Sequence, residues 1–326
     1  ELADHNAFEK VRSIETSLVN YGFEILIGGR PLPQQSPWTL DLSLSLAMNK
    51  DVIAKLPNEA RQIINSDAKI INRLGSNALA NYLLVNKGVY ARDEDVPVNP
   101  ATGERMKAAN NKNNGYVYMQ AGDPIWVDVN GDYIIDDKDK VVVGNSQPRL
   151  TGGFNANLRY KSFSINTNFS FTIKRDIINK ALADRFAAYG NPLSKDLNGS
   201  GAITPIEAFD FWKEDHIYAK YPNPFDYIRG GTADHQVNFF RPDQTLFMED
   251  GSFLKINGVS ISYVLPKKVL DFLRVERVQL NASVNNIYTF SKYSGVNPEN
   301  VNSLGYDVSG GYPNSRNYTM GISIDF

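Results

Sequence analysis

The chain has 326 residues, a formal net charge of −2 and no cysteine. A near-neutral balance without a basic tract gives nucleic acid no electrostatic footing, and the missing thiols exclude disulfides, thiolate metal sites and cysteine nucleophiles. No run reaches the roughly 20 apolar residues of a membrane helix; the apolar runs are short, such as Val141-Val142-Val143. The mean hydropathy of −0.34 suits a soluble chain, but a transmembrane β-barrel is apolar only at alternate residues and averages the same way. Glu1-Leu2-Ala3-Asp4 lacks the basic and apolar regions of a signal peptide. The chain is therefore expected to begin after a processing point or partway through a longer protein.

Period-2 alternation of apolar and polar residues predicts about seven long strands. In chain order these are 18–27, 37–49, 150–160, 162–174, 246–264, 276–291 and 314–326. Tyr21, Phe23, Ile25 and Ile27 share one face of the first. Trp38, Leu40, Leu42, Leu44, Leu46 and Met48 alternate with Thr39, Asp41, Ser43 and Ser45 in the second. Phe154, Ala156, Leu158 and Tyr160 mark the third; Phe163, Ile165, Phe169, Phe171 and Ile173 alternate with Ser and Asn in the fourth. Val259, Ile261, Tyr263 and Leu265 follow, then Val278 to Phe290, and last Tyr318, Met320, Ile322, Ile324 and Phe326. Many segments approach the roughly 9–11 residues that cross a bilayer at a tilt, against about 5–6 in soluble strands. Small polar residues on one face suit a wet lumen, and aromatics near the ends of the other suit interfacial girdles. The competing reading is a soluble sandwich with one solvated face.

The connections favour the barrel. Lys161-Ser162, Gly28–Pro33 and Pro266–Arg274 are short links, whereas 50–150, 174–245 and 292–316 are long. Strict alternation of short and long is the habit of membrane barrels, with short periplasmic turns and long extracellular loops, and sandwiches rarely hold loops beyond about 15 residues. With the short turns in the periplasm, the last strand runs down and the C-terminus is expected there. An odd strand number would leave unpaired edges in lipid, so the segment is expected to close against further strands. Within the loops, helices are expected over Val52–Leu74, from Ile53, Leu56, Ala60, Ile63 and Ile64, and over Lys174–Phe186, from Ile177, Ile178, Ala181, Leu182 and Phe186.

Asp128-Val129-Asn130-Gly131-Asp132 opens a D-x-N-x-D loop with a carboxylate, Asp139, at its twelfth position. Calcium takes about six to eight oxygens. Asp128, Asn130 and Asp132 would supply side-chain oxygens, Ile134 its carbonyl, Asp136 a bridged water and Asp139 the last carboxylate. Tyr133 stands where such loops use Gly, and Asp139 where they use Glu; an Asn/Asp-rich turn without metal is the other reading. Enzyme signatures are missing. The three histidines, His5, His216 and His235, form no zinc pair, and no nucleophile elbow or Walker loop occurs. Asp210 and Glu214 beside His216 could sit one helical turn apart, an arrangement that is more often a solvated face than a catalytic carboxylate pair.

A family resemblance rests on several segments in order. Asn20-Tyr21-Gly22-Phe23-Glu24 resembles the strand opening of TonB-dependent receptors, and Gly144 to Phe154 (GNSQPRLTGGF) resembles a SusC-type strand entry. Glu249–Ile256 with Val259–Pro266, Asn285–Glu299 (NNIYTFSKYSGVNPE) and Tyr312–Tyr318 before the terminal Phe326 are similar to later motifs of the SusC/RagA-type receptors. The resemblance covers most of 15–326. It implies an all-β fold: the C-terminal strands, about seven, of a large antiparallel transmembrane β-barrel of roughly 22 strands. Long extracellular loops, about 50–149, 175–245 and 292–314, would carry short helices. The first strand here would then be the sixteenth, which should run downward, as the turn pattern independently has it. The plug, the TonB box and the N-terminal strands have no counterpart in the chain.

The implied function is TonB-dependent import of oligomeric nutrients, glycans or peptides, across the bacterial outer membrane. The implied partners are the remainder of the receptor, a SusD-like surface lipoprotein, the TonB complex acting through the plug, and outer-membrane lipid. No enzyme activity is expected, and calcium is the one cofactor entertained. The aromatic-rich second loop holds Phe209, Phe211, Trp212, Tyr218, Tyr221, Phe225, Tyr227, Phe239 and Phe240. These serve either loop packing or sugar stacking and interface contact, and Trp212 is the candidate for ligand or lid. Two alternatives stand beside import: a soluble calcium-stabilised carbohydrate-binding sandwich, and a structural barrel subunit of an outer-membrane assembly.

Overall fold

The computed structural model describes residues 16–65, 70–78, 80–110, 115–189, 206–224, 237–307 and 314–326. Seven long strands form one sheet: β1 (Ser17–Gly29), β2 (Trp38–Lys55), β3 (Leu150–Tyr160), β4 (Phe163–Ile173), β5 (Phe253–Val264), β6 (Arg277–Ser291) and β7 (Asn317–Asp325). They lie side by side in chain order, a meander, and every neighbouring pair is antiparallel. Lys161, at φ 52°, turns β3 into β4. The helix α2 (Lys267–Leu273) lies in the short link from β5 to β6.

Register puts like with like, because a one-residue slip would turn every side chain to the opposite face. One apolar row crosses the sheet through Leu40, Leu158, Ile165, Ile261, Ala282 and Met320. The next runs Trp38, Tyr160, Phe163, Tyr263, Leu280 and Ile322, and within it Trp38 stacks on Tyr160 at 4.3 Å. Nearer the long loops, Ile25, Leu46, Gly152, Phe171, Leu254 and Phe290 make a further row.

The alternation of β5 changes phase at one place. Leu254 and Ile256 face outward before it and Val259, Ile261 and Tyr263 after it, because the register shifts between Ile256 and Gly258 in both flanking pairings. Asn257 is the extra residue of a β-bulge. Gly258 is needed there, since a Cβ would lie 2.8 Å from Asn285 Oδ1.

The apolar face meets no second sheet among the described residues. Ile261, in a strand paired on both sides, is 39 % exposed, and Leu254 is 43 %. The four smaller sheets are built from loop residues, and the three hydrophobic cores gather loop residues as well. A soluble sandwich requires the sheet's apolar side chains to be buried between two layers, and the structure overturns that alternative.

Two helix expectations are corrected. Over 52–74 the chain finishes β2, makes a 3-10 turn at Pro57–Glu59, and forms a hairpin of Gln62–Asn65 with Ile70–Arg73. Pro57 cannot donate to a continuing helix, Asn58 and Glu59 take positive φ, and the β-branched Ile63 and Ile64 suit a strand. Over 174–186, Asp176–Ile178 is a strand paired with Met248–Asp250, and helix α1 spans Lys180–Tyr189. Asn179 starts that helix, its Oδ1 accepting from the Leu182 amide at 3.0 Å. The same short pairing divides the expected strand 246–264, whose main part begins at Phe253.

Candidate functional site: the polar sheet face and the loop assembly

The face opposite the apolar one is a carpet of small polar groups. Asp41, Asn157, Asn166, Ser260, Ser283 and Thr319 stand in one cross-strand row. Neighbouring rows are laced by side-chain hydrogen bonds: Ser164 with Ser262 at 2.7 Å, Ser170 Oγ to Asn257 Oδ1 at 3.1 Å, and Gln279 Nε2 to Asn281 Oδ1 at 2.8 Å. Such a surface stays wetted and offers donors and acceptors without a strong field of either sign. Near the loop end, Lys255 of β5 pairs with Glu299 at 2.5 Å, tying the third loop to this face.

The three long loops fold into one body. Leu83 of the first, Ile178, Leu182, Phe186, Phe211, Tyr221, Phe240 and Phe247 of the second, and Tyr306 of the third share a core. Phe186 is its hub, meeting Phe209, Phe211 and Tyr221 edge-on at 4.8, 4.7 and 4.8 Å. A second core joins Tyr90, Met106, Met119 and Trp126 of the first loop to Phe239.

Buried polar groups lock the loops together. The wholly buried Gln244 accepts from Trp126 Nε1 at 2.7 Å and Asn86 Nδ2 at 3.1 Å, and donates to the Phe239 and Arg241 carbonyls. Arg241 grips Asp243 with two hydrogen bonds of 2.6 and 2.7 Å, and Lys140 of the first loop reaches Asp243 at 2.9 Å. Burial opposes ionisation of Asp243, but the hydrogen bonds and charges of Arg241 and Lys140 outweigh it and hold the carboxyl well below its ordinary range. Arg175 Nε donates to the Ser146 carbonyl and its other arm to the Pro298 carbonyl, bridging first and third loops; burial lowers its pKa. Tyr293 donates to Asp307 at 2.6 Å; burial and that carboxylate push the phenol up. No periodicity marks Arg241, Asp243 or Gln244 in the sequence.

The six residues of the D-x-N-x-D loop do share one turn. Asp128 accepts from the Gly131 and Tyr133 amides at 2.7 and 2.8 Å, Asn130 from Asp132, and Asp132 from Ile134. Asp136 accepts from Lys138, and Asp139 from Val129 and Asp136 at 2.8 Å each. Tyr133 takes φ 63°, so it makes the left-handed turn for which such loops use Gly. Burial raises the Asp139 carboxyl, and the charges of Asp128 and Asp136 add to the rise against hydrogen bonds from the Asp136 and Val129 amides. Ile134 pairs with Lys107 in a short parallel bridge. The carboxylates thus spend themselves on the loop's own amides, and no cluster of three acidic or histidine ligands forms among the described residues.

Trp212 is buried, with its Nε1 donating to the Ala91 carbonyl at 3.2 Å and its ring against Gly122. It packs the second loop on the first and presents no stacking face outward. Phe209, Phe211, Tyr221, Phe239 and Phe240 go into the two cores, Tyr218 is 78 % exposed, and Phe225 and Tyr227 lie outside the described residues. Asp210 and His216 pair at 2.7 Å on the lip of a cleft of about 430 Å³. They are brought together by a tight turn between Lys213 and His216, not by a helix; His5 and His235 lie outside the described residues.

An unbroken apolar face turned outward, a polar face behind it and a folded cap of loops define one class: part of the wall and crown of a large antiparallel β-barrel. No family model matches the chain. It is 26 % identical over 330 residues to TonB-dependent receptor P3 of Formosa agariphila, covering 95 % of this chain and 29 % of that protein. TonB-dependent receptor SusC of Bacteroides thetaiotaomicron is 25 % identical over 95 % of this chain and 26 % of its own length. Among solved structures, the RagAB peptide transporter aligns with a TM-score of 0.66 at 20 % identity, over 96 % of this chain and 30 % of that one. The chain therefore spans less than a third of the relatives it matches. By these likenesses the chain is similar to the barrel portion of SusC/RagA-type TonB-dependent receptors.

Proposed function

We propose that the chain forms wall and outer loops of an outer-membrane receptor that imports oligomeric nutrients, glycans or peptides. In this reading the polar face lines the lumen and the loop assembly meets the ligand under a SusD-like lipoprotein lid. The remaining strands and a plug complete the barrel, and TonB drives the plug. The C-terminal end of β7 lies on the periplasmic side with the short turns. The observation that carries the reading is the outward apolar face, half-exposed in strands paired on both sides. Relatives bearing the names of receptor and transporter support it, and no catalytic group is needed.

The test uses the receptor that contains this chain, in its native host. An epitope in the turn at Thr102-Gly103 is expected to be reached by antibody on intact cells, and one at Lys161-Ser162 only after the outer membrane is opened. The reverse pattern, or recovery in the soluble fraction, would overturn the reading. Uptake of labelled oligosaccharide and oligopeptide pools by cells with and without the receptor then decides between the ligand classes.

A second proposal concerns the D-x-N-x-D loop. The wholly buried Asp139 faces the charges of Asp128 and Asp136, a crowding that a divalent cation would relieve. Calcium bound by Asp128, Asn130, Asp132, the Ile134 carbonyl, Asp136 and Asp139 would brace the first loop. Calcium should then raise the melting temperature of the receptor, and Asp128→Asn with Asp139→Asn should abolish the rise. Equal melting in calcium and chelator would assign the loop to its own hydrogen bonds.

A further inference from the structure

The third loop is held in two unequal ways. Its ends are clamped. Tyr293 donates to Asp307 at 2.6 Å, and the Ser294 amide and hydroxyl donate to Glu249 at 2.8 and 2.7 Å. The Ile178 amide donates to the Gly305 carbonyl at 2.8 Å, and the Asp307 amide to the Ile178 carbonyl at 2.9 Å. Tyr293, Tyr306 and Asp307 are buried. Residues 293–307 are thus a closed loop on a firm base, the form of an Ω-loop.

The tip has less. Residues 297–299 are shaped from within, the Asn297 side chain accepting from the Glu299 amide at 2.9 Å. Two polar contacts join this turn to the other elements. Arg175 donates to the Pro298 carbonyl at 3.4 Å, a long bond and therefore a weak one, and Glu299 pairs with Lys255 at 2.5 Å. Lys255 stands on the polar face, in the ladder row of Ser45, Gly153, Ser170 and Thr289. Thr172, on that face and nearer the loops, is buried, so the loop assembly overhangs this end of the wall. The neighbouring carboxylates have other donors: Asp176 the Asn145 amide, Glu249 Ser294 and Asn179, and Asp250 Ser252. Asn297 Nδ2 is buried without a partner among the described residues. A donor so placed opposes the seated tip, because lifting the turn returns it to water.

We propose that residues 296–299 are a strap over the mouth of the lumen, latched to the wall by the Lys255–Glu299 pair, and that breaking this pair lifts the tip on its clamped base and widens the mouth. The inference rests on the reading above that the polar face lines the lumen. The balance of contacts suits a device that opens. The two side chains of the latch are 12 and 30 % exposed, so water reaches the pair and weakens it, and the unpartnered Asn297 amide works against it. The base, with its buried tyrosine and backbone bridge, survives fluctuations that release the tip. The strap then sets the size of ligand that enters, while the loop core around Phe186 stays in place.

Maleimide labelling of the detergent-purified full receptor tests this, with Asn168→Cys as the reporter. Asn168 is exposed on the polar face, farther from the loops than Ser170, and this chain has no cysteine of its own. A polymer-tagged maleimide reads the width of the mouth, and a small charged maleimide reads simple access of water. Lys255→Met and Glu299→Gln are each expected to speed the bulky reagent about fivefold or more and to leave the small one unchanged. Lys255→Arg, which keeps the charge, should stay at the wild-type rate. A bulky rate unchanged in both variants, or both reagents speeding together, would overturn the proposal. A reporter that neither reagent reaches sinks the lumen assignment and the strap with it. A reporter reached by the small reagent, with no change in the bulky rate, sinks the strap alone. Glu299→Gln is nearly isosteric and carries the test if Lys255→Met does not fold.

Discussion

The sheet and the loop assembly are made from the same kinds of side chain and treat them in opposite ways. In the loops Phe186, Phe211 and Phe247 are withdrawn from solvent. In the sheet Tyr288, Phe290, Met320 and Ile322 stand out from it. Exposed apolar area costs about 25 cal/mol per Å² against water, so a face of this extent is stable only against something apolar. The loops carry the ordinary burial of a protein in water, and the sheet carries the exposure that the proposed lipid setting requires. The difference shows that apolar residues identify a solvent as much as a core, and that the two regions should fail under different insults.

The largest effects should separate the regions. Phe186→Ala removes the hub of the loop core and should cost about 3–5 kcal/mol there. Hydrogen exchange should quicken across the second loop and around Leu83 and Tyr306, while the strand amides keep their protection. Loss of protection in β3 to β6 at the same time would show that sheet and loops form one cooperative unit. Asp243→Asn strikes the same region through charge, leaving Arg241 and Lys140 only the half-exposed Asp137 as a carboxylate partner, at a cost of up to about 3–5 kcal/mol. The pH dependence has a definite sign. Asp243 has a depressed folded pKa, so its contribution is complete above the ordinary carboxylate range and is lost as pH falls through the folded value. The wild-type loop assembly should hold at mildly acid pH and loosen only in strong acid, and Asp243→Asn should remove that part of the acid transition.

Legibility in the sequence divides along the same line. The sheet was readable because alternation is a local signal, and seven strands lie where it placed them, except that the start of the fifth leaves the sheet to pair with Asp176–Ile178. What alternation could not show was the phase change at Asn257, a bulge that depends on both neighbouring strands. The loop core was not readable, since Leu83, Ile178 and Tyr306 meet across intervals that no local pattern spans. The spacing of Ile53, Leu56, Ala60, Ile63 and Ile64 fits a helix, but β-branching and Pro57 were the competing signals and a hairpin resulted. The aromatic wealth of the second loop was plain, yet burial is a property of the packed whole: Trp212 is enclosed and Tyr218 is left outside.

A smaller effect sharpens the comparison within one strand. Val259→Arg puts a charge on the outward face and should cost about 2–4 kcal/mol in a bilayer, whereas its neighbour Ser260→Arg faces the polar side and should cost under about 1 kcal/mol. Folding yields in lipid vesicles, read by heat-modifiable migration, measure both. Equal sensitivity at the two positions would mean that both faces meet the same medium, and the assignment of lipid and lumen would fail.

The smallest effect is expected at Asp210 and His216. Sequence spacing singled them out, and the structure pairs them at 2.7 Å. The hydrogen bond from His216 and that from the Lys220 amide hold the Asp210 carboxyl below its ordinary value. Both side chains are about half-exposed, however, and water screens a pair so placed, so its net worth is under about 1 kcal/mol. Asp210→Asn should therefore leave the loop melting temperature almost unchanged and leave ligand uptake intact. A large loss of uptake with unchanged stability would give this cleft a direct role in recognition. A large loss of stability would mean that the lip is enclosed in the complete receptor, which would move the boundary between the watery and the buried parts of the loop assembly.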